Sequence, residues 1–140
     1  LDVYLLDATA KKTAFLSHVV KAMELDGVTV LTGRAEELAR DPALRETFDV
    51  VVSRAVSKMR VLAELTLPFA RVGGLAIAQK GSGVHNEIAD ARDAIEQTGG
   101  ELREIRQAAG LEGALVVVNK VRPTPDRYPR RPGIPAKRPL

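Results

Sequence analysis

The sequence has no cysteine and no tryptophan, and aromatic residues make up only 4% of it. Without cysteine there is neither a disulfide framework nor a thiolate metal site, and the two isolated histidines, His18 and His85, do not build a zinc site by themselves. Metal-dependent chemistry is therefore not expected. Long hydrophobic runs are also missing. No stretch of about 18 apolar residues occurs, which excludes a transmembrane helix. The amino terminus lacks a charged segment followed by an apolar signal core, so the cytoplasm is the expected address. No Gly-x-Gly-x-x-Gly is present, so the usual phosphate-cradling turn of a nucleotide-binding sheet has no counterpart.

What remains is a 140-residue chain, 45% hydrophobic, the size of one compact domain. Its net charge of +3 conceals a division after Asn119. Residues 1–119 carry 14 basic against 17 acidic groups, whereas residues 120–140 carry seven basic groups against Asp126 alone. Cations segregated into one terminal stretch suit a polyanion such as nucleic acid better than a small acidic substrate. A membrane surface fits less well, because no amphipathic helix accompanies the charge. The expected division is therefore a domain over 1–121 and a basic, proline-rich tail over 122–140.

Hydrophobic patterning predicts an α/β order. Val3 to Leu6, closed by Asp7, reads as a buried parallel strand. A helix follows, capped by Thr9, with Phe15, Val19, Val20 and Met23 at helical spacing and Gly27 at its carboxyl end. Val28 to Leu31 is a second strand, leading through Gly33-Arg34-Ala35-Glu36 into a helix reaching about Arg45. Phe48 to Val52 is a third strand, ending in Ser53-Arg54-Ala55. A helix from Lys58 to Phe69 closes at Gly73-Gly74, and Leu75 to Gln79 forms a fourth strand, ending in Lys80-Gly81. After a helix over Glu87 to Thr98, Glu101 to Gln107 and Ala114 to Val121 read as a hairpin turning at Gly110 to Gly113. Six of the eight prolines fall between Pro123 and Pro139, so the tail is expected to be extended and docked across the surface. This is a doubly wound sheet with an antiparallel element at one edge. With no glycine-rich turn after its first strand, the chain is expected to begin at the second strand of such a sheet.

Ligands of these sheets bind at the carboxyl ends of the strands, which singles out four places. Asp7 suits either a ribose diol, as a short rigid acceptor, or the cap of the following helix. Ala35 and Glu36 suit an adenine edge or an ordinary acidic first turn. Arg54 suits a carboxylate or phosphate, or else a structural pair with Glu36 or Asp7. Lys80 is a cation at a glycine turn or a solvated surface lysine. In the tail, Arg127, Tyr128, Arg130, Arg131, Lys137 and Arg138 combine phosphate-neutralising cations with a ring able to stack on a base.

The segments Leu5-Leu6-Asp7-Ala8-Thr9-Ala10-Lys11-Lys12-Thr13-Ala14-Phe15-Leu16, Gly33-Arg34-Ala35-Glu36-Glu37, Ser53-Arg54-Ala55-Val56, Lys80-Gly81 and Tyr128-Pro129-Arg130-Arg131-Pro132-Gly133-Ile134-Pro135 together resemble the RsmG family. Its members, also called glucose-inhibited division protein B, are bacterial 16S ribosomal RNA guanine-N7 methyltransferases. The resemblance implies a Rossmann-like class I methyltransferase sheet without its first strand, S-adenosylmethionine as cofactor, and a guanine in the 530 loop of 16S ribosomal RNA as substrate. It also implies a monomer working on that RNA or on a small-subunit assembly intermediate. By position, Asp7, Ala35, Glu36 and Arg54 match cofactor-binding residues, while Lys80, Arg130 and Arg131 match RNA-facing ones. Two other readings stay open. One is a nicotinamide dehydrogenase lacking its first βα unit, against which the hairpin and basic tail argue. The other is a non-enzymatic RNA-binding remnant with an incomplete cofactor site.

Overall fold

The computed structural model describes residues 1–107 and 113–140. In chain order the elements are β1 (Val3–Asp7), α1 (Ala10–Ala22), β2 (Val28–Thr32), α2 (Ala35–Leu38), β3 (Phe48–Arg54) and α3 (Met59–Thr66). They continue with β4 (Ala70–Lys80), α4 (Val84–Gln97), β5 (Gly100–Gln107), β6 (Ala114–Lys120) and α5 (Ile134–Lys137). β1 pairs in parallel with β2, in register from Val3 opposite Val28 to Asp7 opposite Thr32. The other four strands form a sheet in the order β3-β4-β6-β5. In it β3 runs parallel to β4, and β6 runs antiparallel to both of its neighbours. The expected hairpin is thus present, with the apolar β6 inside and the polar, alternating β5 at the edge. Of its expected turn, residues 110–112 lie outside the described residues.

Among the described residues β1 pairs only with β2, and β3 only with β4. Tyr4 near the start of β1 meets Phe48 at the start of β3 edge to face, ring centroids 5.1 Å apart. Phe48 in turn meets Phe69 at 6.2 Å. Beyond this contact Val51 of β3 packs on a small cluster of Ala39, Leu44 and Phe69, whereas Val50 and Val52 are bare, Val52 being 73% exposed. The main core lies elsewhere, where Leu62, Leu67, Ile88 and Ile95 of the α3 and α4 region pack on Ala76, Ala78, Val116 and Val118. Each such Leu, Ile or Val side chain stabilises the fold by about 1.5–3 kcal/mol through burial.

Several expected boundaries move for identifiable reasons. α1 ends at Ala22, where the Glu24 N–H donates to Lys21 O and the Leu25 N–H to Val20 O, with Glu24 itself left-handed at φ 51°. This closes the helix by a Schellman pattern without Gly27, which instead turns the chain into β2. α1 fully buries only Thr13; Val19 and Val20 are half-buried while Phe15 is 64% and Met23 63% exposed, so only part of the apolar spacing read as a core face is covered. α2 stops at Leu38 after one turn instead of reaching Arg45, and Pro42, which disfavours the helical region for the residue before it, stands in the path of a longer helix. β4 runs through Gly73-Gly74 rather than starting after it. A Cβ on Gly74 would stand 2.7 Å from Asp49 O, at the register shift of the β3–β4 ladder, so glycine permits the approach. The tail is docked as expected, but Ile134–Lys137 is a turn of helix rather than extended chain.

Candidate functional site

The carboxyl ends of β1 to β4 carry the four places singled out above. At the end of β1, Asp7 Oδ1 accepts the Thr9 N–H at 2.8 Å, and Oδ2 lies 3.5 Å from Lys12 Nζ. The Thr9 N–H, with Lys12 beside it, holds the Asp7 carboxyl below its ordinary value despite some desolvation. The side chain caps the start of α1, while a third of it stays open at the end of the strand. Thr9, expected to cap by its hydroxyl, makes no side-chain cap bond.

Past β2, Ala35 and Glu36 open α2. Ala35 is half-buried, but Glu36 is turned inward and only 5% exposed. Its Oε1 accepts the Gly133 N–H at 3.0 Å and an Arg34 Nη2 proton at 3.3 Å. Burial works against its charge, yet the Gly133 N–H and the Arg34 guanidinium outweigh it and hold the carboxyl below the ordinary glutamate value. Any contact with a ligand at this place therefore falls to the backbone and to Ala35 more than to the carboxylate.

Arg54 closes β3 and is exposed. The acids expected as structural partners are taken by others, Asp7 by Lys12 and Glu36 by Arg34, so Arg54 retains its planar fork for a ligand. The next residue, Ala55, is left-handed at φ 51°. A non-glycine residue there costs of the order of 1–3 kcal/mol, the kind of local strain that concentrates at ligand sites. Lys80 at the end of β4 is neither solvated nor free. Its Nζ donates to Ser57 O at 2.5 Å and pairs with Glu87 Oε1 at 2.7 Å, and the same Glu87 oxygen accepts the Met59 N–H at 2.6 Å. Lys80 joins the starts of α3 and α4, where the expectation was a cation at a glycine turn or a solvated surface lysine.

The tail residues divide. Arg127, Arg131, Lys137 and Arg138 are exposed, Arg127 lying over the Tyr128 ring at 5.0 Å. Tyr128 is 5% exposed and its hydroxyl donates to Gln97 Oε1 at 2.7 Å, so its ring is packed against the body and offers no face to a base. Arg130 is committed as well. Its Nη2 reaches Glu64 Oε2 at 2.7 Å, its Nε reaches Glu64 Oε1 at 3.0 Å, and its backbone N–H donates to Glu64 Oε1 at 2.7 Å. Glu64 is wholly buried in α3. These bonds hold the Arg130 guanidinium charged more firmly than usual. The expectation of base stacking by Tyr128 and phosphate contact by Arg130 thus meets two side chains already used by the fold.

Sequence reading missed the groups that hold the tail. Arg45 donates to Tyr128 O and Thr124 O, both at 2.9 Å, and Arg40 donates to Pro129 O. Lys120 Nζ donates to Glu46 Oε1, Leu67 O, Ala70 O and Thr124 Oγ1 between 2.7 and 3.0 Å. Burial pulls the Lys120 ammonium below its ordinary value, against support from Glu46. A signal existed for Lys120, since it continues the period-2 row of Val116 and Val118 toward the core. Another existed for Glu64, an acid set among Val61, Leu62 and Ala63. Among the described residues no cluster of His, Asp and Glu is arranged to hold a metal ion, and no helix is long and apolar enough to cross a membrane.

Comparison with known proteins adds to this geometry. The family model described as rRNA small subunit methyltransferase G (GidB) matches residues 1–115. That span contains Asp7, Ala35, Glu36, Arg54 and Lys80 but stops short of the tail. The ribosomal RNA small subunit methyltransferase G of Roseiflexus castenholzii is 47% identical over 143 residues, covering 100% of this chain and 61% of the relative. That of Symbiobacterium thermophilum is 46% identical over 149 residues with the same coverage. The chain thus spans about three-fifths of the length of the curated relatives it matches. Among solved structures, the Methanococcus jannaschii fibrillarin pre-rRNA processing protein superposes with a TM-score of 0.63 at 13% identity, covering 86% of this chain and 57% of that one. Aeropyrum pernix fibrillarin in complex with S-adenosyl-L-methionine gives 0.59 at 16% identity, covering 84% and 55%. The fold is the Rossmann-like α/β sheet of these proteins.

Proposed function

Since the chain belongs to the rRNA small subunit methyltransferase G family, we propose that the protein containing it methylates guanine N7 in the 530 loop of 16S ribosomal RNA, with S-adenosylmethionine as methyl donor. The observation that carries this reading is that the family match covers every cofactor candidate, and that these stand at the carboxyl ends of parallel strands, where such sheets bind ligands. The residues fit the donor in part. Asp7 offers a partly open carboxylate for a ribose diol, the Ala35–Glu36 backbone an edge for adenine, and Arg54 an exposed guanidinium for a carboxylate. The glycine-rich turn that would complete the subsite is not in this sequence.

S-adenosylmethionine supplies an electrophilic methyl group on a sulfonium. Guanine N7 carries an in-plane lone pair and no proton, so no general base is needed in this chain. Its work is to hold donor and acceptor in line, about 3–3.5 Å apart, and to exclude water. The base must be unstacked or otherwise accessible for N7 to be reached. Exposed Arg127, Arg131, Lys137 and Arg138 supply phosphate contacts. The partner is 16S ribosomal RNA or a small-subunit assembly intermediate, met in the cytoplasm by a monomer.

The test is methyl transfer from labelled S-adenosylmethionine by the full-length protein to small-subunit RNA lacking the modification, followed by chain cleavage at N7-methylguanine. Label at one guanine of the 530 loop is the expected outcome. Transfer to another position, or no transfer while the protein is folded, overturns the reading.

A further inference from the structure

The Glu36 carboxylate, at the place assigned to adenosine, is occupied by the protein's own tail. Gly133, left-handed at φ 82°, starts α5 and directs its N–H to Glu36 Oε1 at 3.0 Å. Three residues earlier, Arg130 grips the buried Glu64 with its guanidinium and its backbone N–H. The same guanidinium donates to Arg138 O at 2.8 Å, closing the segment around α5. Two carboxylates, one at the start of α2 and one inside α3, are thus tied together by residues 130–138. An arm serving only to collect phosphates needs free cations and none of these bonds. Meanwhile α2 is a single turn of four residues, too short to hold its own geometry without tertiary support.

We propose that residues 130–138 are a positioning strap for the cofactor. By holding Glu36 through the Gly133 N–H, the strap sets the backbone of the Arg34–Glu37 turn in the conformation that receives adenosine. Gly133, Arg130 and Glu64 are positioning residues, touching neither cofactor nor RNA at the reacting centre. The inference rests on the assignment of Ala35 and Glu36 to the adenosine subsite. It makes the tail bifunctional, with its inward groups serving the cofactor and its outward cations serving the RNA.

The experiment is calorimetric titration of the full-length protein with S-adenosylmethionine in the absence of RNA. The variants are Glu36→Ala, Glu36→Gln, removal of residues 133–140, and that removal combined with Glu36→Ala. Glu36→Ala and the removal are each expected to raise the cofactor dissociation constant about tenfold, the scale of one charge-assisted hydrogen bond. Their combination is expected to raise it no further, since the Glu36–Gly133 contact is already lost in each. Glu36→Gln keeps the acceptor and is expected to stay within about threefold of the parent. An unchanged dissociation constant on removal of the strap overturns the proposal, as does a combined effect equal to the product of the two. A parent protein that binds no S-adenosylmethionine overturns the functional reading instead. If the shortened protein does not fold, amide exchange of the parent decides: cofactor saturation should slow exchange at Gly133, and unchanged exchange there refutes the strap.

Discussion

Lys120 Nζ sits among four oxygens at the point where the tail leaves β6. A lysine this deep is stable only because each proton finds an acceptor and Glu46 balances its charge. Lys120→Met should therefore cost about 3 kcal/mol, since it removes the cation that balances Glu46 and the donor to two buried carbonyls; a urea-denaturation midpoint unchanged from the parent would show the cluster to be idle. The neighbouring pair Arg130 and Arg131, alike in sequence, should separate under the same measurement. Arg130→Ala strands the buried Glu64 carboxylate and should cost about 3–5 kcal/mol. Arg131→Ala, at an exposed position, should stay within about 0.5 kcal/mol. It should instead lower the salt slope of RNA binding by about one unit, as expected for one lost phosphate contact. Equal stability losses at the two positions would contradict the division of the tail into inward and outward groups.

At the scale of elements, what the sequence revealed depended on whether the deciding contacts were local. β6 was legible because Ala114 to Val118 is a continuous apolar run, buried in the middle of its sheet. The alternation of strands and helices was legible for the same reason, and with it the strand ends that carry Asp7, Ala35, Glu36 and Arg54. The reach of β4 through Gly73-Gly74 was not, because Gly74 serves a close approach to the β3 backbone and not a local turn. The tail was least legible. Its charge and proline content suggested an arm for RNA, whereas Arg45 and Glu64 fix it from 66 to 83 residues away. One glycine lets the tail begin: Gly99, left-handed at φ 92°, accepts the Val121 and Arg122 N–H groups on its carbonyl, and a Cβ there would collide with Arg122 O. Gly99→Ala should cost at least 1–2 kcal/mol through backbone strain and the collision. A thermal midpoint equal to the parent's would show that the tail can start without this close approach.

For the whole molecule, protons and the open strand edges set the conditions of function. Glu36 and Glu46 both hold tail backbone N–H groups, and both have carboxyls below the ordinary value of 4.5. The unfolded chain therefore takes up protons on these groups first as pH falls. Their contribution is complete above about pH 4.5 and is lost progressively below it, toward the lower folded values. The parent's urea midpoint should fall through that window more steeply than that of a Glu36→Gln, Glu46→Gln double variant; parallel curves would remove both carboxylates from the account. The bare edges of β1 and β3 limit the cofactor site in another way. Asp7 and Arg54 end strands that share no ladder, and the exposed Val50 and Val52 show how little covers β3 between them. Two ligand contacts on separately paired strands are poorly preorganised, so part of the binding free energy must go into ordering them. The 140-residue chain alone should accordingly bind S-adenosylmethionine weakly or not at all, while the full-length protein binds it. Micromolar affinity in a calorimetric titration of the 140 residues would mean that Asp7, Ala35, Glu36 and Arg54, together with the strap, suffice to hold the cofactor without a glycine-rich turn.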